Sequence, residues 1–315
     1  MTEPLFRGGR QIETVAVIGA GLIGSGWIAT FLANGLAVRV FDPSPDAEKA
    51  TRERLEWAWM QLACLGLSAN ASLEPLTFHH DLKDSVVGAD FIQENAPERI
   101  ELKRDLYTSL DAFLSPDVLI ASSTSSFAIA ELQSNCASPE RCLLGHPINP
   151  VHLVPLIELA GGPATAPEAI ATASTFYKRL GKKPVRLKKE VFGHVANRLA
   201  SAMFQEAVHL VAEGVVDPSA LDDIIRFGPA LKWAIQGQFM TYHTSGGERG
   251  IEGFIDQFGE GQVRRWRDLG HPDLKDPAVR AAIVNGVLCE AAGRSVEEIA
   301  RKQDTALVAL RGLLG

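Results

Sequence analysis

Through the first 190 residues, short β-rich apolar runs alternate with segments whose apolar residues recur every three or four positions. That alternation is the pattern of a parallel sheet covered by helices. Strands are expected at 14–18, 37–41, 76–78, 89–92, 118–121, 143–146, 154–159 and 184–187, with helical spacing at 22–34, 100–113 and 167–180. Residues 45–74 break the rhythm. They hold a long amphipathic helical pattern ending near Gly66 and then a shorter polar piece, more than one crossover needs, so a helical hairpin projecting from the sheet is expected. After Lys188 and Lys189 only helical patterns and loops remain: 193–211, then 218–227 opening on Asp217 as its N-cap. The expected division is therefore an α/β domain over 1–190 and an all-helical domain over 191–315.

Composition narrows the setting. With 46% hydrophobic and 22% charged residues the chain has the make-up of a globular protein. A formal charge of -7 and the lack of a long Lys/Arg run argue against nucleic acid or an anionic membrane as partner. No stretch approaches 18 uninterrupted apolar residues, and residues 1–12 lack a signal-peptide core, so a cytoplasmic location is expected. Cys64, Cys136, Cys142 and Cys289 show no zinc or redox-dithiol spacing and read as buried small hydrophobes in a reducing compartment.

The first chemical signal is the G-x-G-x-x-G formed by Gly19, Gly21 and Gly24, directly after a strand and at a helix start. Such glycines permit a tight turn and close approach of a pyrophosphate to the helix N-terminus, here at Gly21, Leu22, Ile23 and Gly24. Asp42 ends the second strand, where a carboxylate can hold the ribose hydroxyls and would repel a 2′-phosphate. These features define a Rossmann-type domain and favour NAD over NADP. A flavin or nucleotide-sugar site on the same fold is the alternative.

The second signal runs from Gly145 to Glu158 and reads strand, proline-bounded turn, strand. A hairpin-like return would bring His146 beside Glu158. Removing hydride from an alcohol requires a base for the hydroxyl proton, and imidazole suits that task. A buried carboxylate would fix the ring tautomer and stabilise the imidazolium that forms. The competing reading is a His146 that only satisfies backbone groups in the turn. Ser122–Ser126 follow another strand end, where hydroxyls can hold a substrate oxygen or equally cap a helix. His79-His80-Asp81 lacks further ligands at metal spacing and reads as surface, so no metal is expected. Arg264-Arg265-Trp266-Arg267 reads as a solvated helix face, and no G-x-S-x-G nucleophile elbow is present.

Taken together, Gly19–Gly24, Asp42, Glu94–Lys103, Ser122–Ser126, Gly145–Pro150, Glu158 and Gly193–Arg198 resemble the 3-hydroxyacyl-CoA dehydrogenase family over nearly the whole chain. The resemblance implies that His146 and Glu158 are the catalytic dyad, with Ser125 and Asn197 holding the reacting oxygen. It places Glu98 and Lys103, with Ser125, near the nicotinamide, Asn149 at the substrate, and a homodimer through the helical domain. His194 stands where the family motif has Phe.

Within the family, Phe91–Arg99, Asp223–Gly228, Lys232-Trp233 and Phe239–Tyr242 are similar to the short L-carnitine dehydrogenase branch, although Ile148, His152 and His243–Ser245 depart from it. That likeness implies a small 3-hydroxy acid substrate, favoured as L-carnitine going to 3-dehydrocarnitine. Trp233 and Tyr242, with Phe239, would be aromatic walls for its quaternary ammonium; because their spacing fits no single helical face, a break between them is required. Arg198 and Arg226 are the cations available for its carboxylate. Residues 45–75 carry only Lys49, Arg52 and Arg54 as cations, few for the phosphates of coenzyme A. A 3-hydroxyacyl-CoA or L-gulonate substrate, and a non-catalytic NAD-binding structural protein, are the alternatives.

Overall fold

All eight expected strands form and join one sheet. In the computed structural model, which describes residues 11–314, the strands are β1 (Thr14–Ile18), β2 (Ala37–Phe41), β3 (Leu76–His79), β4 (Phe91–Glu94), β5 (Leu119–Ser122), β6 (Cys142–Pro147), β7 (Leu156–Gly161) and β8 (Lys183–Arg186). Their order is β3-β2-β1-β4-β5-β6-β7-β8. β1 to β6 run parallel, β7 turns back antiparallel to β6, and β8 runs parallel to β7. The first six strands thus have the order of a dinucleotide-binding sheet.

Both faces of the sheet are covered. Along β1, Val15 and Val17 point into one core while Ala16 and Ile18 point into the other, as the two-residue period of a strand requires. On the first face lie α1 (Leu22–Ala33), α2 (Ala47–Leu65) and α6 (Pro167–Arg179), contributing Trp27, Phe31, Leu55, Leu62, Phe176 and Tyr177. Trp27 sits 5.3 Å from both Phe31 and Tyr177, centroid to centroid, so α1 and α6 lock together through aromatic rings. On the second face are α3 (Leu82–Val86), α4 (Ile100–Phe113) and α5 (Ile129–Leu132), contributing Val86, Tyr107, Leu110, Ile129 and Leu132.

The excursion after β2 differs from expectation. It is a single helix, not a projecting helical hairpin. α2 buries Leu55, Ala58 and Leu62 in the first core, and beyond Gly66 (φ +100°) the chain returns without a second helix. The nine residues 67–75 are too short to nucleate an isolated helix. Instead Ser68 donates its amide to Ala33 O at 3.1 Å, and Leu67 packs on the first core. The cysteines also divide: Cys142 is buried and Cys136 half-buried, but Cys64 and Cys289 are exposed.

The helical region contains α7 (His194–Ala212), α8 (Pro218–Phe227), α9 (Pro229–Ser245), α10 (Gly250–Asp268), α11 (Pro277–Ala291) and α12 (Val296–Leu314). Asp217 caps α8, its carboxylate accepting from the Ala220 amide at 2.8 Å. Chain contacts divide the molecule into one unit ending at Asn197, rejoined by Gln303–Leu313, and a second unit of Arg198–Lys302. Trp57 and Gln61 of α2 both donate to Asp304, which ties the returning end of α12 to the first unit. Among the described residues, no helix is long and apolar enough to cross a membrane.

Candidate active site

The antiparallel return of β7 on β6 puts His146 and Glu158 directly opposite each other in register. His146 Nδ1 lies 3.0 Å from Glu158 Oε2, and the two residues are only 5% and 2% exposed. Glu158 Oε1 accepts from the amides of Val195 and Ala196, each at 3.0 Å, in the first turn of α7. Burial pushes the Glu158 carboxyl up, but the His146 bond and those two amides outweigh it and hold it below the ordinary value. An ionised Glu158 accepts, so His146 Nδ1 carries the hydrogen and the neutral ring keeps its lone pair on Nε2. The pair is therefore a base with a fixed tautomer and a buried counter-charge.

A second cluster stands at the carboxyl end of β5. Glu98 accepts from the Ser125 amide at 2.6 Å, from Ser125 Oγ at 3.1 Å, and from Thr124 Oγ1 at 2.9 Å. Burial raises the Glu98 carboxyl, yet the Ser125 amide, the Lys103 ammonium and the two hydroxyls reverse this and hold it low. Lys103, expected with Glu98 near the nicotinamide, lies beneath this same loop. It is 1% exposed, donates to Glu94 Oε1 at 2.7 Å and Ala96 O at 2.9 Å, and lies 3.5 Å from Glu98 Oε2. Its charge supports the loop from beneath. Glu94 also accepts from Ser122 Oγ at 2.5 Å and the Ala96 amide at 2.6 Å, so one buried carboxylate pins both β4 and β5 ends.

The dinucleotide cradle is on the same edge of the sheet. Gly19 has φ +89°, and a Cβ there would lie 2.6 Å from Asn95 O. A Cβ on Gly24 would lie 1.9 Å from Gly19 O, so the turn and α1 can meet only through glycine. Over Gly21, by contrast, a Cβ would touch nothing within 4 Å, which leaves the turn open above the start of α1. Among the described residues no side chain caps α1, and its first turn holds no acid, so the amides of Leu22 and Ile23 are available to an anion. Asp42 accepts from the Ala20 amide at 2.7 Å and the Ser44 amide at 2.9 Å, which fixes its carboxylate at the end of β2. These residues fit the pyrophosphate and adenosine ribose of NAD.

Other site residues are less gathered. Asn149 is exposed in the turn after β6, and Asn197 is half-buried in the first turn of α7. In the second unit, Trp233 and Tyr242 lie on either side of Gly237, whose φ of 75° breaks α9; this is the break that their spacing demanded. Tyr242 stacks on Phe254 at 4.5 Å, while Phe239 is 83% exposed. Arg226 reaches Asp223 only at 3.8 Å. His79 bonds Thr77 Oγ1 and Asp81 caps α3, roles that need no metal. His152 bonds Gln61 Oε1 at 2.6 Å, and burial lowers it to about 4, so it is a neutral structural ring.

Two participants escaped the sequence reading: Glu94, as the anchor of Lys103, and His194. His194 is 2% exposed, its Nε2 is 2.9 Å from Thr124 O, and its ring centroid is 4.8 Å from that of His146. Its substitution for Phe was the visible signal.

A Rossmann-type sheet with a dinucleotide cradle and a carboxylate-supported histidine at its carboxyl edge defines the class of NAD-dependent dehydrogenases. The chain belongs to the 3-hydroxyacyl-CoA dehydrogenase family: the family's NAD binding domain matches residues 14–191 and its C-terminal domain matches 193–271. An L-carnitine dehydrogenase of a Pseudomonas species is 44% identical over 305 residues, covering 97% of this chain and 95% of that protein. The L-carnitine dehydrogenase of Streptomyces coelicolor is 42% identical, covering 98% and 95%. Among solved structures, 5-formyl-3-hydroxy-2-methylpyridine 4-carboxylic acid 5-dehydrogenase, an NAD+-dependent dismutase, superposes with a TM-score of 0.83 at 31% identity, covering 96% of this chain and 99% of that one.

Proposed function

We propose that the protein oxidises the secondary hydroxyl of L-carnitine to 3-dehydrocarnitine, with His146 as the base. The observation that carries the chemistry is the buried 3.0 Å His146–Glu158 pair at the carboxyl edge of the sheet. The likeness to L-carnitine dehydrogenases, 42–44% identical over nearly full length, supports the substrate.

When bound, NAD supplies the hydride acceptor. Gly21, Leu22, Ile23 and Gly24 hold its pyrophosphate at the α1 N-terminus, with Gly19 shaping the turn, and Asp42 takes the ribose hydroxyls. Ser125 and Asn197 hold the substrate hydroxyl in line with His146. His146 removes the hydroxyl proton at Nε2 as the carbonyl forms, and the ring becomes an imidazolium. Glu158 keeps Nδ1–H in place and offsets the new positive charge; its own proton affinity stays low because two α7 amides hold its other oxygen. Glu98 fixes the Ser125 loop, and Lys103 fixes Glu98. Trp233 and Tyr242 are our candidates for aromatic faces to the trimethylammonium group, each worth ~0.5–2 kcal/mol, and Asn149 for a further substrate contact.

The exposed apolar side chains of the helical unit, among them Phe227, Ile235, Phe239 and Leu288, support a homodimer formed through that unit. The cations of α2 do not favour an acyl-CoA substrate, since Arg52 is already paired with Glu48 at 2.7 Å.

The test is NADH formation from a panel containing L-carnitine, 3-hydroxybutyrate, L-gulonate and a 3-hydroxyacyl-CoA at alkaline pH. L-carnitine turned over with the highest kcat/KM supports the proposal. Preference for any other member overturns the substrate, and NAD binding without turnover of any member would point to the structural-protein alternative.

A further inference from the structure

We infer that His194 is a positioning residue that sets the relation between the hydroxyl-holding Ser125 loop and the His146–Glu158 pair. Two contacts meet at this one side chain, and its backbone makes a third link. Nε2 lies 2.9 Å from Thr124 O. A carbonyl can only accept, so Nε2 carries the hydrogen and donates. Thr124 and Ser125 are the residues that Glu98 grips, so this bond ties that loop to the start of α7. On its other side, the ring stands 4.8 Å from the His146 ring at a tilt of 55°, forming a wall of the base. Through the chain, His194 is followed immediately by Val195 and Ala196, whose amides hold Glu158.

Two features show a cost accepted at this position. His194 has φ 49°, in the left-handed region that side chains other than glycine seldom adopt, although histidine is among those that enter it more often. Its Nδ1 is buried without a hydrogen-bond partner among the described residues. A residue chosen for packing alone would leave no such orphan. Burial also lowers its proton affinity, which keeps the ring neutral beside an imidazole that becomes cationic in turnover.

The inference rests on His146 being the base, and the experiment separates the two. His194→Phe keeps the ring and removes the donor; His194→Gln restores a donor able to reach Thr124 O. Steady-state kinetics with L-carnitine and NAD should show His194→Phe lowering kcat about 10- to 100-fold, as expected for misplaced reacting groups, with the KM for NAD within about two-fold. His194→Gln should recover most of that loss. Adding Ser125→Ala to His194→Phe should cost less than the two losses multiplied, because both act through one loop. Unchanged kcat in His194→Phe, equal losses in Phe and Gln variants, or simple multiplication with Ser125→Ala would each overturn the inference. An active His146→Ala enzyme would instead overturn the reading beneath it.

Discussion

The two units of this chain solve burial in opposite ways. In the first, strands and helices close two cores, and even its charged interior groups, Lys103, Glu94 and Glu158, have partners. In the second, Val208 is the one hydrophobic side chain among the described residues that is buried, while Ile235 and Phe239 are 78% and 83% exposed. At about 1.5–3 kcal/mol for each large apolar side chain removed from water, the first unit is stabilised from within. The helical unit leaves much of that stabilisation unrealised. The paired and hydrogen-bonded groups of the candidate site therefore lie in the self-contained unit, whereas the helical unit exposes its apolar side chains.

If precision does reside in the hairpin, its carboxylate should matter most. Glu158→Gln keeps the shape but weakens control of the His146 tautomer, and kcat should fall on the order of 10³–10⁴-fold with the fold intact by circular dichroism. Retained activity would move the chemistry elsewhere. Next comes the charge beneath the Ser125 loop. Lys103→Met leaves Glu94 buried without its cation and should cost about 3–5 kcal/mol of stability in denaturant unfolding. A negligible change would mean that Glu94 is satisfied by Ser122 and Ala96 alone.

These two residues also mark what the sequence could and could not reveal. Central strands such as β1 and β5 were legible because a sheet buried on both faces writes continuous apolar runs, whereas β2 alternates and β8, with no buried residue, is marked only by following the helical spacing of 167–180. The His146–Glu158 pairing was legible because two prolines bound a turn of the right length to return the chain. The support of Lys103 was not: its 2.7 Å contact to the buried Glu94 joins side chains nine positions apart across the loop after β4, which no local pattern reveals. The hairpin expected after β2 failed for a similar reason: polar residues 67–75 allow either a short helix or an irregular return, and packing on α1 decides it. His194 was visible only as a departure, since its role comes from a carbonyl 70 positions away.

The helical unit's side of the comparison can be broken by charge. Replacing Ile235 and Phe239 with Glu should halve the mass in sedimentation equilibrium if these side chains meet a second copy, and should lower the melting temperature by a few degrees. An unchanged mass would leave the exposed face unexplained by association. The smallest effect is on pH. Glu158 and Glu98 have folded proton affinities held below their ordinary value near 4.5. The folded form thus binds fewer protons than the unfolded chain, so their stabilisation is complete above that value and is lost as pH falls below it. Melting temperature followed from pH 6 to pH 3 should decline less steeply for Glu158→Gln than for the parent.

The central claim is that one histidine, oriented by one carboxylate, removes the substrate proton. It is tested most directly by comparing NADH formation from L-carnitine by the parent and by His146→Ala, with NAD affinity measured for both. The account predicts a kcat lower by about 10²–10⁴-fold at unchanged NAD affinity. Near-parental turnover by His146→Ala would contradict it.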